Sequence, residues 1–157
     1  MSAVKSLLLA VELAARQRDR AQTVVLQARQ NHLFAQNQLA QLEGYSRETE
    51  LRWMTAAQLG TAPELMLNHY QFMGRLKQAI DLQQHVVATS LGQLEWVGKA
   101  LLEAEFRVIN LEKVVKKKQA GIAILLGKRE QKQMDEFAAL QYARSRAERN
   151  NGSTYEY

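Results

Sequence analysis

Apolar residues recur along this chain in alternating steps of three and four positions, the spacing that draws one narrow stripe down a helix for a second helix to cover. One run passes through Leu7, Val11, Ala14, Ala21, Val25, Ala28, Ala35, Leu39 and Leu42, with Arg18 and His32 as its polar members. Another passes through Met73, Leu76, Ile80, Val87, Leu94, Val97, Leu101, Ala104, Val108, Leu111, Val115, Ile122 and Leu125, broken by Gln83, Ser90 and Lys118. Two heptad registers and one break between them predict an all-α fold: a long antiparallel two-helix coiled-coil hairpin.

The break is Leu59-Gly60-Thr61-Ala62-Pro63-Glu64. Gly60 suits the left-handed position that closes a helix, and Pro63 suits a first helical turn, where its missing N–H is harmless. Thr61 and Glu64 have capping-box spacing. The expected elements are a helix over 3–58, a turn over 59–62 and a helix over 62–148, together one domain over residues 1–149. Folding back at Gly60 pairs residues whose numbers add to about 121. Residues from Ala120 onward then have no partner in the chain, so the second helix overhangs, and Ile122, Ile124, Leu125, Leu126, Met134, Phe137 and Leu140 lie on that overhang. An apolar face without a partner helix points to a partner protein. The polar residues 150–157 are expected to be a disordered tail.

Composition agrees with long helices and thin cores. Of 157 residues, 46% are hydrophobic and 24% charged, but only 7% are aromatic, and there is one proline. With no cysteine, disulfide frameworks and cysteine-ligated metals are excluded, and a reducing compartment fits. The stretch from Lys5 to Ala15 has some signal-peptide character, but Glu12 cuts it and Arg16, Arg18 and Arg20 follow, so helix is the better reading. The later apolar window, Ala120 to Gly127, is far shorter than the roughly 20 residues that span a bilayer. The net charge of +5 is the balance of 21 basic and 16 acidic residues spread over the chain. Only from Lys113 to Lys132 do cations dominate: Lys113, Lys116, Lys117, Lys118, Lys128, Arg129 and Lys132 meet one acid, Glu130.

Catalytic chemistry has little to stand on. A two-helix rod offers no concave pocket, no glycine-rich phosphate loop and no scaffolded nucleophile, and the chain reads as a binding protein rather than an enzyme. His32, His69 and His85 lack metal-ligand spacing, so neither a metal nor any other cofactor is implied, and His32 on the seam is read as a register-setting residue. Six glycines fall inside the helices. Gly44 and Gly74, nearly opposite one another, would allow either close helix approach or a bend.

Apolar residues off the seam are more informative, because a two-stranded coiled coil covers only its seam. Leu26, Phe34, Tyr45, Leu51, Trp53, Phe72, Leu82, Trp96, Phe106 and Ile109 either widen the core or face partners, and Tyr45, Trp53, Tyr70 and Phe72 gather near the turn as aromatic anchors would. Gln38, Leu42, Tyr45 and Thr49 on the first helix share the four-three-four spacing of Phe72, Leu76, Ala79 and Gln83 on the second. Counting back from the turn sets 38 against 83, 42 against 79, 45 against 76 and 49 against 72. These form one strip across both helices, although Leu42, Leu76 and Ala79 also suit an ordinary core.

The residues Tyr70-Gln71-Phe72 with Leu76 and Ala79-Ile80, and the run Glu130-Gln131-Lys132-Gln133-Met134-Asp135-Glu136-Phe137-Ala138, set in a hairpin of this length, resemble the flagellar FliJ family. The resemblance implies a component of the flagellar type III export apparatus, similar in fold to the coiled coil of the rotary-ATPase γ subunit and seated in a hexameric export ATPase. It implies contacts with the cytoplasmic part of the export gate protein FlhA and with export chaperones, and a cytoplasmic place peripheral to the inner membrane through those partners. By position, the gate-contact residues are Gln38, Leu42, Tyr45, Phe72, Leu76 and Ala79. The sequence departs from the family at Thr49, where an aromatic is expected, and at Gln83, where a histidine is.

By the same resemblance the ATPase contact is expected at the other end of the hairpin, on Lys116, Lys117, Lys118, Lys132, Asp135, Glu136 and Phe137. The basic cluster there is either a solvated helix face or a charge complement to acidic loops of a ring. Two other readings remain open: the equivalent stalk of a virulence-type injectisome, and a basic coiled coil that binds nucleic acid. Against the latter stand the acids interspersed nearly everywhere else and the lack of any nucleic-acid-binding motif.

Overall fold

The connection decides the topology. In the computed structural model, which describes residues 2–153, α1 (Ser2–Gln58) and α2 (Pro63–Gly152) are joined by a four-residue link. Gly60 turns the chain with φ of 91°, the single positive φ among the described residues, at no steric cost because it has no Cβ. Two of the last carbonyls of α1 are satisfied by a tightened turn, Ala56 O accepting from Leu59 N–H at 3.1 Å and Ala57 O from Gly60 N–H at 3.2 Å. At the start of α2 the carbonyl of Ala62 accepts from Leu65 and Met66. Ala62 is therefore the cap residue and Pro63 the first helical residue, as the proline required.

Two expectations need correction here. The Thr61–Glu64 capping box does not form: the helix starts one residue too late for Thr61 to be the cap, and neither side chain accepts from the other residue's backbone N–H. Glu64 instead contributes negative charge to the first turn of α2. At the far end α2 continues past Glu148 to Gly152, so residues 150–152 are helical, with Ser153 N–H on Arg149 O at 3.2 Å. Met1 and the rest of the expected tail, 154–157, lie outside the described residues.

The two helices pack as a hairpin, and the seam is the heptad stripe. Every position of the first register from Leu7 to Leu42 is buried or half-buried, and so is every position of the second from Met73 to Val115. Apart from Leu76 the buried set is made of small side chains: Ala14, Val25, Ala28, Ala35, Val97, Val108 and Val115. Such residues let two helices approach along one narrow line and leave both flanks to solvent.

Contacts separate the chain into two units. One is Glu12–Val108, which holds the connection and most of the seam, with Val25, Ala28 and Val97 packed against Leu94 and Leu101 at its centre. The other comprises Met1–Val11 with Ile109–Tyr157. In its described part, Val4, Leu7, Ala10 and Val11 are half-buried, Val115 is buried and Leu111 half-buried. Beyond Val115 every described residue is exposed.

Polar residues on the seam find partners. His32 Nδ1 lies 2.8 Å from Ser90 Oγ, and Ser90 donates its one proton to Val87 O at 2.8 Å. The imidazole therefore donates through Nδ1 to the serine oxygen. Gln83 Nε2 donates to Ala35 O at 3.0 Å and to Gln38 Oε1 at 3.3 Å. These directional contacts tie one register together, since a slip would strand half-buried polar groups. The pairs 32 with 90, 38 with 83, 53 with 69 and 17 with 107 all fall within a few of the counted total.

Gly44 and Gly74 do not serve a close approach. A Cβ built on either meets nothing within 4 Å, and the same holds for Gly92, Gly98, Gly121 and Gly127. Among the described residues no helix is long and apolar enough to cross a membrane.

Candidate interaction surfaces

In the unit that holds the connection, the expected strip is partly core and partly surface. Leu76 is 8% exposed and belongs to the seam, while Leu42 and Ala79 are half-buried beside it. Tyr45, 49% exposed, and Phe72, 37% exposed, stand outside. Their rings meet edge to face, centroids 6.2 Å apart at 83°. That contact lies about one helical turn nearer the connection than counting placed it, which two long side chains can span. Gln38 is held by Gln83 as counted, and with Gln41, Leu42 and Tyr45 these two glutamines border a shallow groove. Thr49 is half-buried.

Of the other turn-end aromatics, Trp53 is half-buried and stacks on His69, centroids 4.2 Å apart and planes within 10°. It fastens the two helices near the connection. Tyr70 is 78% exposed and borders a separate hollow with Ser46, Met73 and Lys77. Two positions along a helix is a rotation of about 200°, so Tyr70 and Phe72 point to different sides. The aromatic cluster is therefore two surfaces and one fastening.

Off-seam residues elsewhere resolve toward the surface. Leu26, Phe34, Leu51, Leu82, Trp96, Phe106 and Ile109 are all exposed. Between them sequence reasoning missed a groove of about 640 Å³, floored by Ala28 and Val97 and walled by Val24, Leu82, His85 and Val86. Its signal was present in the small seam residues Ala28 and Ser90, where the helices offer little bulk to fill the flank.

In the other unit, Lys116, Lys117, Lys118, Lys132, Asp135, Glu136 and Phe137 are all exposed. None of these charged groups takes part in an ion pair; the ion pairs among the described residues are Arg16–Glu12, Arg18–Asp19 and Arg52–Glu48. Seven cations between Lys113 and Lys132 therefore present uncompensated charge next to the exposed Ile124, Leu125 and Leu126. A charged stretch flanked by unburied aliphatic groups is suited to steering and then seating a partner.

A comparison with protein families finds that the family model described as the flagellar FliJ protein matches residues 4–147. No curated protein and no solved structure matches the chain.

Proposed function

Since this chain belongs to the flagellar FliJ family, and so to the components of the flagellar protein export apparatus, we propose that it is the stalk of the export ATPase, binding the hexameric ring with its C-terminal helix. The observation that carries the reading is the exposure of every described side chain of α2 beyond Val115, with seven cations from Lys113 to Lys132 and no intramolecular ion pair to neutralise them. Such a helix gives up little when it binds, because none of its side chains has to leave a core. Lys116, Lys117, Lys118 and Lys132 supply attraction to an acidic surface of the ring, Asp135 and Glu136 orient the helix, and Phe137 supplies apolar contact. The role is mechanical rather than catalytic.

The turn end carries the second contact, with the cytoplasmic part of the export gate protein FlhA. Tyr45 and Phe72 are its anchors, being large, exposed and already packed on each other, so that little side-chain freedom is lost on binding. Gln38, Leu42 and Ala79 line the approach, and Leu76 holds the strip's backbone in place from inside the seam. Export chaperones are a third class of partner. The protein sits at the cytoplasmic face of the inner membrane through these partners.

The test is co-purification with the export ATPase and measurement of ATP hydrolysis as this chain is added. Stimulation and a complex are expected. Lys116→Glu, Lys117→Glu and Lys118→Glu combined should lower affinity on the order of tenfold or more with helicity unchanged. Unchanged affinity at physiological salt would remove the electrostatic part of the reading, and neither complex nor stimulation would remove the stalk role.

A further inference from the structure

The exposed part of α2 carries a second heptad register, distinct from the one that buries Val115. Ala123, Leu126, Glu130, Gln133, Phe137 and Leu140 follow alternating steps of three and four and so lie along one side of the helix. Leu126, Phe137 and Leu140 are 52%, 62% and 66% exposed. A helix in a protein draws most of its stability from packing such a face against a neighbour, so this stripe stands uncovered at a cost.

The stripe reads the same in both directions: two apolar positions, two polar, two apolar. We infer that two copies of this chain pair through it, antiparallel, about a two-fold axis between Gln131 and Lys132. In that register Leu126 faces Phe137 of the second copy and Ala123 faces its Leu140. The central layers set the Glu130 carboxylate against the Gln133 side-chain amide, which donates to it. Flanking the stripe, Arg129 falls opposite Glu136 of the second copy, and the axis makes that pair twice. A parallel arrangement would instead set Glu130 against Glu130 and Arg129 beside Met134, with no acidic partner, so charge selects the antiparallel one. Isologous self-pairing of this kind closes at two copies.

The pairing covers Glu136 and Phe137. A paired chain therefore cannot also present them to the ATPase, and self-association competes with stalk insertion. That competition rests on the proposed function; the pairing does not.

Sedimentation equilibrium of the full chain alone, from micromolar to millimolar concentration, tests it whether or not the ATPase binds. A monomer–dimer equilibrium is expected. Glu136→Arg should weaken it on the order of tenfold, since two attractive pairs become two repulsive ones, and adding Arg129→Glu to the same chain should restore it to within about threefold. Both positions are solvent-exposed, so circular dichroism of all variants should match. A monomer throughout, a dimer indifferent to Glu136→Arg, or a swap that fails to restore affinity would each overturn the inference.

Discussion

The unit Glu12–Val108 and the part of α2 beyond Val115 are built from the same residue types in the same kind of helix, yet only one buries anything. In the first, Ala, Val and Leu at heptad spacing meet a second stripe, and its half-buried His32, Gln83 and Ser90 are hydrogen-bonded. In the second, Ile122, Leu126, Phe137 and Leu140 meet solvent. A hydrophobic periodicity states that a helix face needs covering; it does not state by what. Where the cover is the chain's own other helix the result is fold, and where it is absent the face is available for function.

The largest expected effect separates the two regions directly. Leu76→Ala should cost about 2–3 kcal/mol, because it opens space in a seam of small residues that cannot close up, whereas Ile124→Ala should change stability by less than about 0.5 kcal/mol. Thermal melts of dilute chain followed by circular dichroism would show it, and equal losses would erase the distinction. Next in size are the glycines. Gly44→Ala and Gly74→Ala should each stabilise by about 1 kcal/mol, since nothing stands where the new methyl would go. Gly60→Ala should destabilise by a similar amount, because its φ of 91° strains any side chain.

A smaller effect tests the seam's polar coupling. In a double-mutant cycle His32→Ala and Ser90→Ala should show about 1 kcal/mol of coupling energy, and additivity would mean that the 2.8 Å contact does not set register. Smallest in stability but large in binding is Tyr45→Ala with Phe72→Ala. Both rings are partly exposed, so melting should shift little while affinity for the export gate falls on the order of tenfold or more. Leu76→Ala would be a poor test of the same contact, since it weakens the hairpin itself.

The hairpin was legible in the sequence because a heptad run is long: Leu7 to Leu42 and Met73 to Val115 repeat the same signal many times, and Gly60 with Pro63 punctuates it once. Single-residue chemistry was less legible. Thr61 had the spacing of a cap, but a helix begins where a carbonyl first accepts a turn, and Ala62 does so ahead of Pro63. Asn150 to Gly152 looked like tail by composition, yet a helix with Arg149 in its last turn carries on through them. Counting also gave the strip's rows but not its depth. Whether Leu76 is core and Tyr45 surface depends on rotation about the helix axis, and spacing alone gives the seam's members and not the flank's exposure. The groove beside Ala28 was missed for the same reason.

The central claim is that the chain covers its own apolar stripe only as far as Val115 and leaves the described rest of α2 uncovered. Amide hydrogen exchange of the chain at high dilution measures this most directly. Slow exchange is expected along the seam from Val11 to Leu42 and from Leu76 to Val115, with fast exchange from Gly121 to Arg149. Equal protection along the whole of α2, at a concentration where the chain is monomeric, would contradict it.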